Sequence, residues 1–253
     1  MTAPITRSAY TTGKVLSNIA LTTRLYSLRI EMDSQPFIAG QFARLQLLVD
    51  GEKIAKSYSL VNPPNDPVTE VFFNTVPNGR LSNALAALKA GDSLEVSQPA
   101  NGFFTIEETP EKPDLWMIAT GTGLGPYLSM LHSDLAWERF ERVVLVHGVA
   151  VQEELVYQDL IEQAKTAHPQ QFQYLSCVTQ EANPQSIEGR VTQAFSSGQL
   201  EQLSGLTINA ENSAVMLCGN HAMIDDMKGL LKERGMSKHL RHKTGNIVTE
   251  QYF

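Results

Sequence analysis

The chain has 253 residues, 42% of them apolar and 19% charged, with 27 acidic against 20 basic side chains and a net charge of −7. That fits one large or two modest domains, the pattern along the chain favouring two, and argues against broad nucleic-acid binding, which needs a clustered positive surface. The start, MTAPITRSAY, has no apolar stretch behind its basic residue, and no run of about eighteen apolar residues occurs, so neither export nor membrane spanning is expected and the cytoplasm is the expected location. Two cysteines, Cys177 and Cys218, are too few for a disulfide framework or a four-thiolate centre, and no metal is expected.

Residues 1–108 read as short strands with period-2 alternation: GKVLSNIALT, LYSLRIEM, FARLQLLVD, KSYSLV, TEVFFNTV and GDSLEVSQP. The clusters DSQPF, DGEK and NPPNDP break them as turn chemistry demands. One short helix, LSNALAALK, sets Leu81, Leu85 and Leu88 on one face. Six strands and a helix predict an antiparallel β-barrel, which removes exposed sheet edges.

From 109 to 253 the rhythm changes to alternating strand and helix. DLWMIAT, RVVLVHGV, QFQYLSCV and SAVMLCG are continuous apolar runs of the kind found in parallel strands buried on both faces. PYLSMLHSDL, ELVYQDLIEQAKTA, GRVTQAFSS and HAMIDDMKGLLKERG read as helices. The alternation predicts a doubly wound α/β domain with a parallel sheet.

The strand LWMIAT runs into Gly121-Thr122-Gly123-Leu124-Gly125-Pro126, and a helix follows. Glycines let a backbone approach a diphosphate closely, and a helix start offers unpaired N–H groups. The spacing is G-x-G-x-G-P, which departs from the usual dinucleotide fingerprint, and the second strand ends in His147-Gly148 without an acidic residue. The last apolar strand ends in Cys218-Gly219-Asn220, on the rim where such sheets bind ligands.

Read together, KSYSLVNPP (56–64), PNGRLSNAL (77–85), NGFF (101–104), GTGLGP and CGN resemble the motifs of the bacterial, proteobacterial-type ferredoxin/flavodoxin–NADP reductases, within the plant-type ferredoxin–NADP reductase superfamily. The likeness covers almost the whole chain. It implies an FAD-binding Greek-key barrel over 1–108 and an NAD(P)-binding domain over 109–253, its tail returning to the flavin. On the resemblance, Lys56, Ser57, Tyr58 and Ser59 bind FAD, with Tyr58 against the isoalloxazine and Ser59 facing flavin N5. Phe72, Thr75 and Val76 pass beside the flavin, Arg80, Leu81 and Ser82 hold the pyrophosphate, and Thr122 sits at the domain junction. Tyr252 stacks on the isoalloxazine face opposite Tyr58, and Phe253 on the adenine. Gly121, Thr122, Gly123, Val149, Ala150, Thr179, Gln180, Arg190, Cys218, Gly219 and Asn220 hold the nicotinamide nucleotide. Ser59, Cys218, Glu250 and Tyr252 are the implied catalytic positions.

The chain departs from the family pattern at Lys56, where arginine is usual, and at Ala150 and Thr179-Gln180, where the family carries basic residues that grip a 2′-phosphate. Only Arg190 remains at a matching place, with Glu153 and Glu154 nearby. The implied activity is FAD-dependent electron exchange between NADP(H) and ferredoxin or flavodoxin, by hydride transfer between nicotinamide C4 and flavin N5. NAD(H) use stays open, as do an NADH-preferring reductase for a separate oxygenase component or free flavin, and a non-catalytic redox sensor. Arg24, Arg29, Arg44, Lys53, Arg80 and the 238–243 patch could steer an acidic carrier.

Overall fold

The computed structural model describes residues 9–251, in two compact units divided between Phe103 and Phe104. In the first unit β1 (Ala9–Ala20), β2 (Leu25–Glu31), β3 (Phe42–Val49), β4 (Glu52–Ser59), β5 (Val68–Asn74) and β6 (Ser93–Gln98) form one antiparallel sheet, with α1 (Arg80–Ala86) before β6. The strand order β4-β3-β6-β1-β2-β5 sets the last strand between two hairpins. The sheet curls so that its edges meet just past β4, through the Leu60–Val71 bridge and the Val61 N–H donated to the Glu70 carbonyl at 2.9 Å.

The local causes are visible in the sequence. Asp50 (φ 52°) and Gly51 (φ 79°) both take left-handed backbone, the two-residue geometry that matches strand twist, so β3 turns directly into β4 with Val49 opposite Glu52. Inward residues of the strands, among them Leu28, Ile30, Leu45, Val71, Phe73 and Val96, bury against Leu81 and Leu85 of α1. Each such side chain contributes about 1.5–3 kcal/mol on burial. The Asn18 amide of β1 donates to the carbonyls of Leu85 (2.9 Å), Ala86 (3.2 Å) and Leu88 (2.9 Å), satisfying the orphan acceptors at the end of α1.

The second unit has the parallel sheet that the apolar runs predict. Its strands are β7 (Asp114–Thr120), β8 (Arg142–Val149), β9 (Phe172–Val178), β10 (Ile187–Glu188), β11 (Ser213–Gly219) and β12 (Ile247–Gln251), in the order β10-β9-β8-β7-β11-β12. Helices α2 (Gly125–Leu131), α3 (Asp134–Arg139), α4 (Gln158–Ala167), α5 (Val191–Ser196), α6 (Gln199–Ser204) and α7 (His221–Glu233) connect them. Successive strands move away from β7 on one side, then the chain returns to place β11 on the other. That reversal between β7 and β11 is the switch point outside which open α/β sheets bind ligands.

Beyond the added β10 and α6, three elements differ from expectation. The helix expected over 126–135 breaks into α2 and α3, because Ser133 turns extended and its hydroxyl accepts from the Leu135 N–H at 3.4 Å, capping a new helix. The helix expected from Glu154 begins only at Gln158, after Tyr157 takes left-handed backbone (φ 58°). The tail, for which no strand was expected, pairs in parallel with β11 as far as Gln251. Tyr252 and Phe253 lie outside the described residues.

Candidate functional site

The rim at the carboxyl ends of β7 and β11 is built backbone on backbone. Gly121 (φ 53°) opens a 3-10 turn through Leu124 that also carries Thr122. A Cβ on Gly123 would sit 2.6 Å from the Cys218 carbonyl carbon and 2.7 Å from the Gly219 Cα. A Cβ on Gly219, whose φ is 129°, would sit 2.6 Å from the Thr120 carbonyl oxygen. The two turns therefore clasp each other at distances that only glycine permits. The Asn220 N–H donates to the Thr120 hydroxyl at 2.9 Å, while the Asn220 side chain accepts from Ala222 (2.9 Å) and Met223 (3.3 Å) and caps α7. Gly121, Thr122, Gly123, Cys218, Gly219 and Asn220, far apart in sequence, thus come to one place. Beside the clasp Gly121 has nothing within 4 Å of an added Cβ, an open backbone position that fits a dinucleotide pyrophosphate.

Glu250 reaches the same rim, because β12 sets it in register with Cys218. Beneath the clasp lies Tyr127 of α2, fully buried, whose hydroxyl donates to the carbonyls of Met216 (2.8 Å) and Ile118 (3.2 Å) and so ties β11 to β7. Burial, with Cys218 and Glu250 nearby, holds its phenol well above its ordinary value. His147 of β8 is also fully buried, and its Nε2 stands 3.0 Å from the Gly121 carbonyl. Burial pushes its pKa down to about 4, so the ring is neutral near pH 7 and Nε2–H donates to Gly121. Its Nδ1 has no partner among the described residues.

At the ends of β8 and β9 the backbone pairing continues and carboxylates add to it. The Gln180 N–H donates to the Ala150 carbonyl at 2.9 Å, and the Thr179 N–H to Val149 at 3.2 Å, which brings together all four residues expected there. The Ala150 N–H is taken by the Glu154 carboxylate at 3.1 Å, and the Gln152 N–H by the Glu181 carboxylate. Arg190 stands just beyond β10 as the cap of α5, exposed, and its guanidinium forms no ion pair among the described residues. The sequence reading gave Glu181 no role, since its contact is with a loop 29 residues earlier.

In the first unit Lys56, Ser57, Tyr58 and Ser59 lie in order along β4. Lys56 and Ser57 are exposed, Tyr58 is half-buried and Ser59 is buried. The Tyr58 ring meets Phe73 edge-on at 6.0 Å, and Tyr26 stacks on Phe73 at 5.5 Å. Burial pushes the Tyr58 phenol up to about 12, so its hydroxyl stays protonated and able to donate. The loop after β5 is pinned, with the Thr75 N–H donated to Arg24 O (2.8 Å) and the Val76 N–H to the Ser82 hydroxyl (3.2 Å), while Phe72 is buried. A half-buried phenol, an exposed cation and a fixed loop on one sheet fit FAD.

Of the three expected pyrophosphate residues, Leu81 packs into the core and Ser82 serves Val76. The Arg80 guanidinium is engaged by Glu52 at 2.7 Å, by the Val49 carbonyl at 2.9 Å and by Asp50 at 3.7 Å, all around the β3–β4 turn.

Among the described residues no helix is long and apolar enough to cross a membrane, and no group of three or more candidate metal ligands occurs.

Comparison with known proteins agrees with both units. Residues 14–104 match the oxidoreductase FAD-binding domain model and residues 117–229 the oxidoreductase NAD-binding domain model. The flavodoxin/ferredoxin–NADP reductase of Escherichia coli (strain K12) is 42% identical over 86% of this chain and 88% of its own length. The ferredoxin–NADP reductase of Azotobacter vinelandii is 35% identical, over 92% and 90%. Among solved structures, a ferredoxin NADP+ reductase from Neisseria gonorrhoeae with bound FAD and NADP is similar at a TM-score of 0.90 and 30% identity, over 96% of this chain and 99% of that one. A strand order that reverses at a glycine clasp, a curled antiparallel sheet carrying Tyr58, and relatives of this identity and coverage lead to one assignment: the chain belongs to the flavodoxin/ferredoxin–NADP reductase family.

Proposed function

We propose that the chain is an FAD-dependent oxidoreductase that exchanges electrons between NADP(H) and a one-electron carrier, ferredoxin or flavodoxin. The observation that carries the reading is the mutual clasp of Gly123 and Gly219 at the switch point of the sheet. The clasp closes the turns after β7 and β11 at the place where open α/β sheets bind ligands, and leaves Gly121 open beside it. Bound FAD supplies the conversion between two-electron exchange with a nicotinamide and one-electron exchange with a carrier.

The chain's own residues bind, orient and shield. Lys56 gives a phosphate a point charge rather than the planar fork of an arginine, so it anchors without fixing orientation. Tyr58 gives a ring face and a hydroxyl that stays protonated. Gly121, with open space where a Cβ would stand, lets a pyrophosphate approach the backbone, Gly123 lets the two turns close on each other, and His147 keeps the Gly121 carbonyl turned inward. Cys218 and Glu250, side by side on β11 and β12, orient the nicotinamide ring. Ser59, buried at the end of β4, is the hydroxyl that would serve the reacting edge of a bound flavin. Arg44 and Lys53 are exposed on the β3–β4 hairpin and give an acidic carrier a positive approach.

The test is a purified, FAD-loaded protein given NADPH or NADH with ferredoxin, flavodoxin or ferricyanide as acceptor. Reduction of a carrier is expected. A protein that holds FAD but passes electrons from neither nucleotide to any acceptor would overturn the reading and favour a non-catalytic flavin sensor.

A further inference from the structure

The rim is not uniform along its length. With a pyrophosphate on the glycine cradle after β7, the adenosine ribose of a dinucleotide lies toward the end of the neighbouring strand, where an acidic residue receives ribose hydroxyls or a basic one receives a 2′-phosphate. In this chain that neighbour is β8. Two backbone N–H groups there, on Ala150 and Gln152, could have served an anion, and both are occupied by carboxylates, Glu154 and Glu181. Glu154 is buried, so its charge is weakly screened. Glu153, beside Glu154 in the same short turn, brings the carboxylates near this end to three. Ala150, Thr179 and Gln180 bring no cation, which leaves the exposed Arg190 as the one positive side chain among the residues expected to hold the nucleotide.

We infer that the adenosine end of this site is built for an unphosphorylated ribose, so that the enzyme accepts NADH at least as well as NADPH, with Glu181 and Gln180 as the residues that set the choice. A 2′-phosphate brings about two negative charges. It would meet carboxylates already holding the N–H groups it needs, with one arginine to offset them. A ribose hydroxyl carries no charge and can donate to a carboxylate that has lone pairs to spare. The family's nucleotide by name is thus a poor fit to this part of this chain.

The inference rests on the reading that the rim takes a nicotinamide dinucleotide, and two measurements keep the two apart. The first is binding of adenosine 2′,5′-bisphosphate and of adenosine 5′-monophosphate to the FAD-loaded protein, by titration calorimetry. The second is kcat/KM for NADPH and NADH with ferricyanide. Expected are a bisphosphate that binds no tighter than the monophosphate and an NADH efficiency equal to or above that of NADPH. Gln180→Arg with Glu181→Gln should then shift the efficiency ratio toward NADPH by about tenfold or more, through KM rather than kcat. A wild-type protein that binds the bisphosphate about tenfold more tightly and prefers NADPH to match overturns the inference and leaves the reductase reading standing. Failure to bind either adenosine probe, with no turnover on either nucleotide, overturns both.

Discussion

The two ends of the nucleotide rim are held by different materials. At β7 and β11 backbone meets backbone, and Gly123 and Gly219 leave no room for a Cβ. At β8 and β9 the backbone pairing of Val149 and Ala150 with Thr179 and Gln180 is supplemented by single carboxylates from Glu154 and Glu181, which fasten the loops. The first end can change only by moving a strand; the second changes with one codon. If the inferred site is right, such a build would keep the reaction while the preference for one nucleotide drifts, since the end assigned to the pyrophosphate is rigid and the end assigned to the ribose carries replaceable side chains.

The largest effect that could break this comparison is at the clasp. Gly219→Ala forces a side chain into left-handed backbone and against the Thr120 carbonyl, and should destabilise the protein by about 3 kcal/mol, with loss of nucleotide-driven turnover. Gly121→Ala supplies the control, since its φ is also positive but nothing lies within 4 Å of an added Cβ. It should cost only about 1–2 kcal/mol. Equal losses of melting temperature in the two variants would show that backbone conformation alone matters and that the clasp is not the constraint.

Much of this was legible in the sequence, and the exceptions share a cause. The strands of the parallel sheet were readable because burial on both faces demands unbroken apolar runs, as in Leu115–Ile118. The glycines were readable because no other residue serves where they stand. Glu181 was not, since nothing local marks a carboxylate that will cross to a loop 29 residues away. The strand over Ile247–Gln251 was missed for a related reason: it is half-exposed, has no apolar run, and owes its conformation to pairing with β11. Tyr127 lay unmarked inside the expected helix over 126–135, although its hydroxyl is what joins β7 to β11. The glycine turns and apolar strands followed from local pattern; the carboxylate contacts of Glu154 and Glu181 followed from tertiary structure.

A second test sharpens the role of His147 under the clasp. Its pKa falls from 6.5 in an unfolded chain to about 4 in the fold, so the folded protein binds fewer protons across that interval. Stability from this group is complete above pH 6.5 and declines as pH falls toward 4, by up to about 3 kcal/mol. Chemical denaturation from pH 7 to 4 should show that decline in the native protein. His147→Gln, which can still donate to Gly121 but does not titrate, should flatten the profile. A decline of the same size in His147→Gln would assign the pH dependence to other groups.

The smallest effect bears on whether the side-chain rule holds in the flavin-binding unit too. Arg80, expected at the FAD pyrophosphate, is held by Glu52 and Asp50 across the β3–β4 turn, and these partners raise its pKa, the Glu52 hydrogen bond foremost. All three side chains are largely exposed, so the pairing is screened and contributes little to folding. It still competes with a phosphate for the same guanidinium. Glu52→Gln should therefore leave thermal stability unchanged and tighten FAD binding to the apoprotein a few-fold, measured by reconstitution followed through flavin fluorescence. Tighter binding would make Arg80 a second adjustable contact, of the kind found at Glu181, and would place nucleotide affinity in both units under the control of single surface carboxylates. Unchanged affinity would mean that the guanidinium stays on the hairpin when FAD is bound, and that Lys56 with the backbone of the pinned Thr75–Val76 loop holds the cofactor without it.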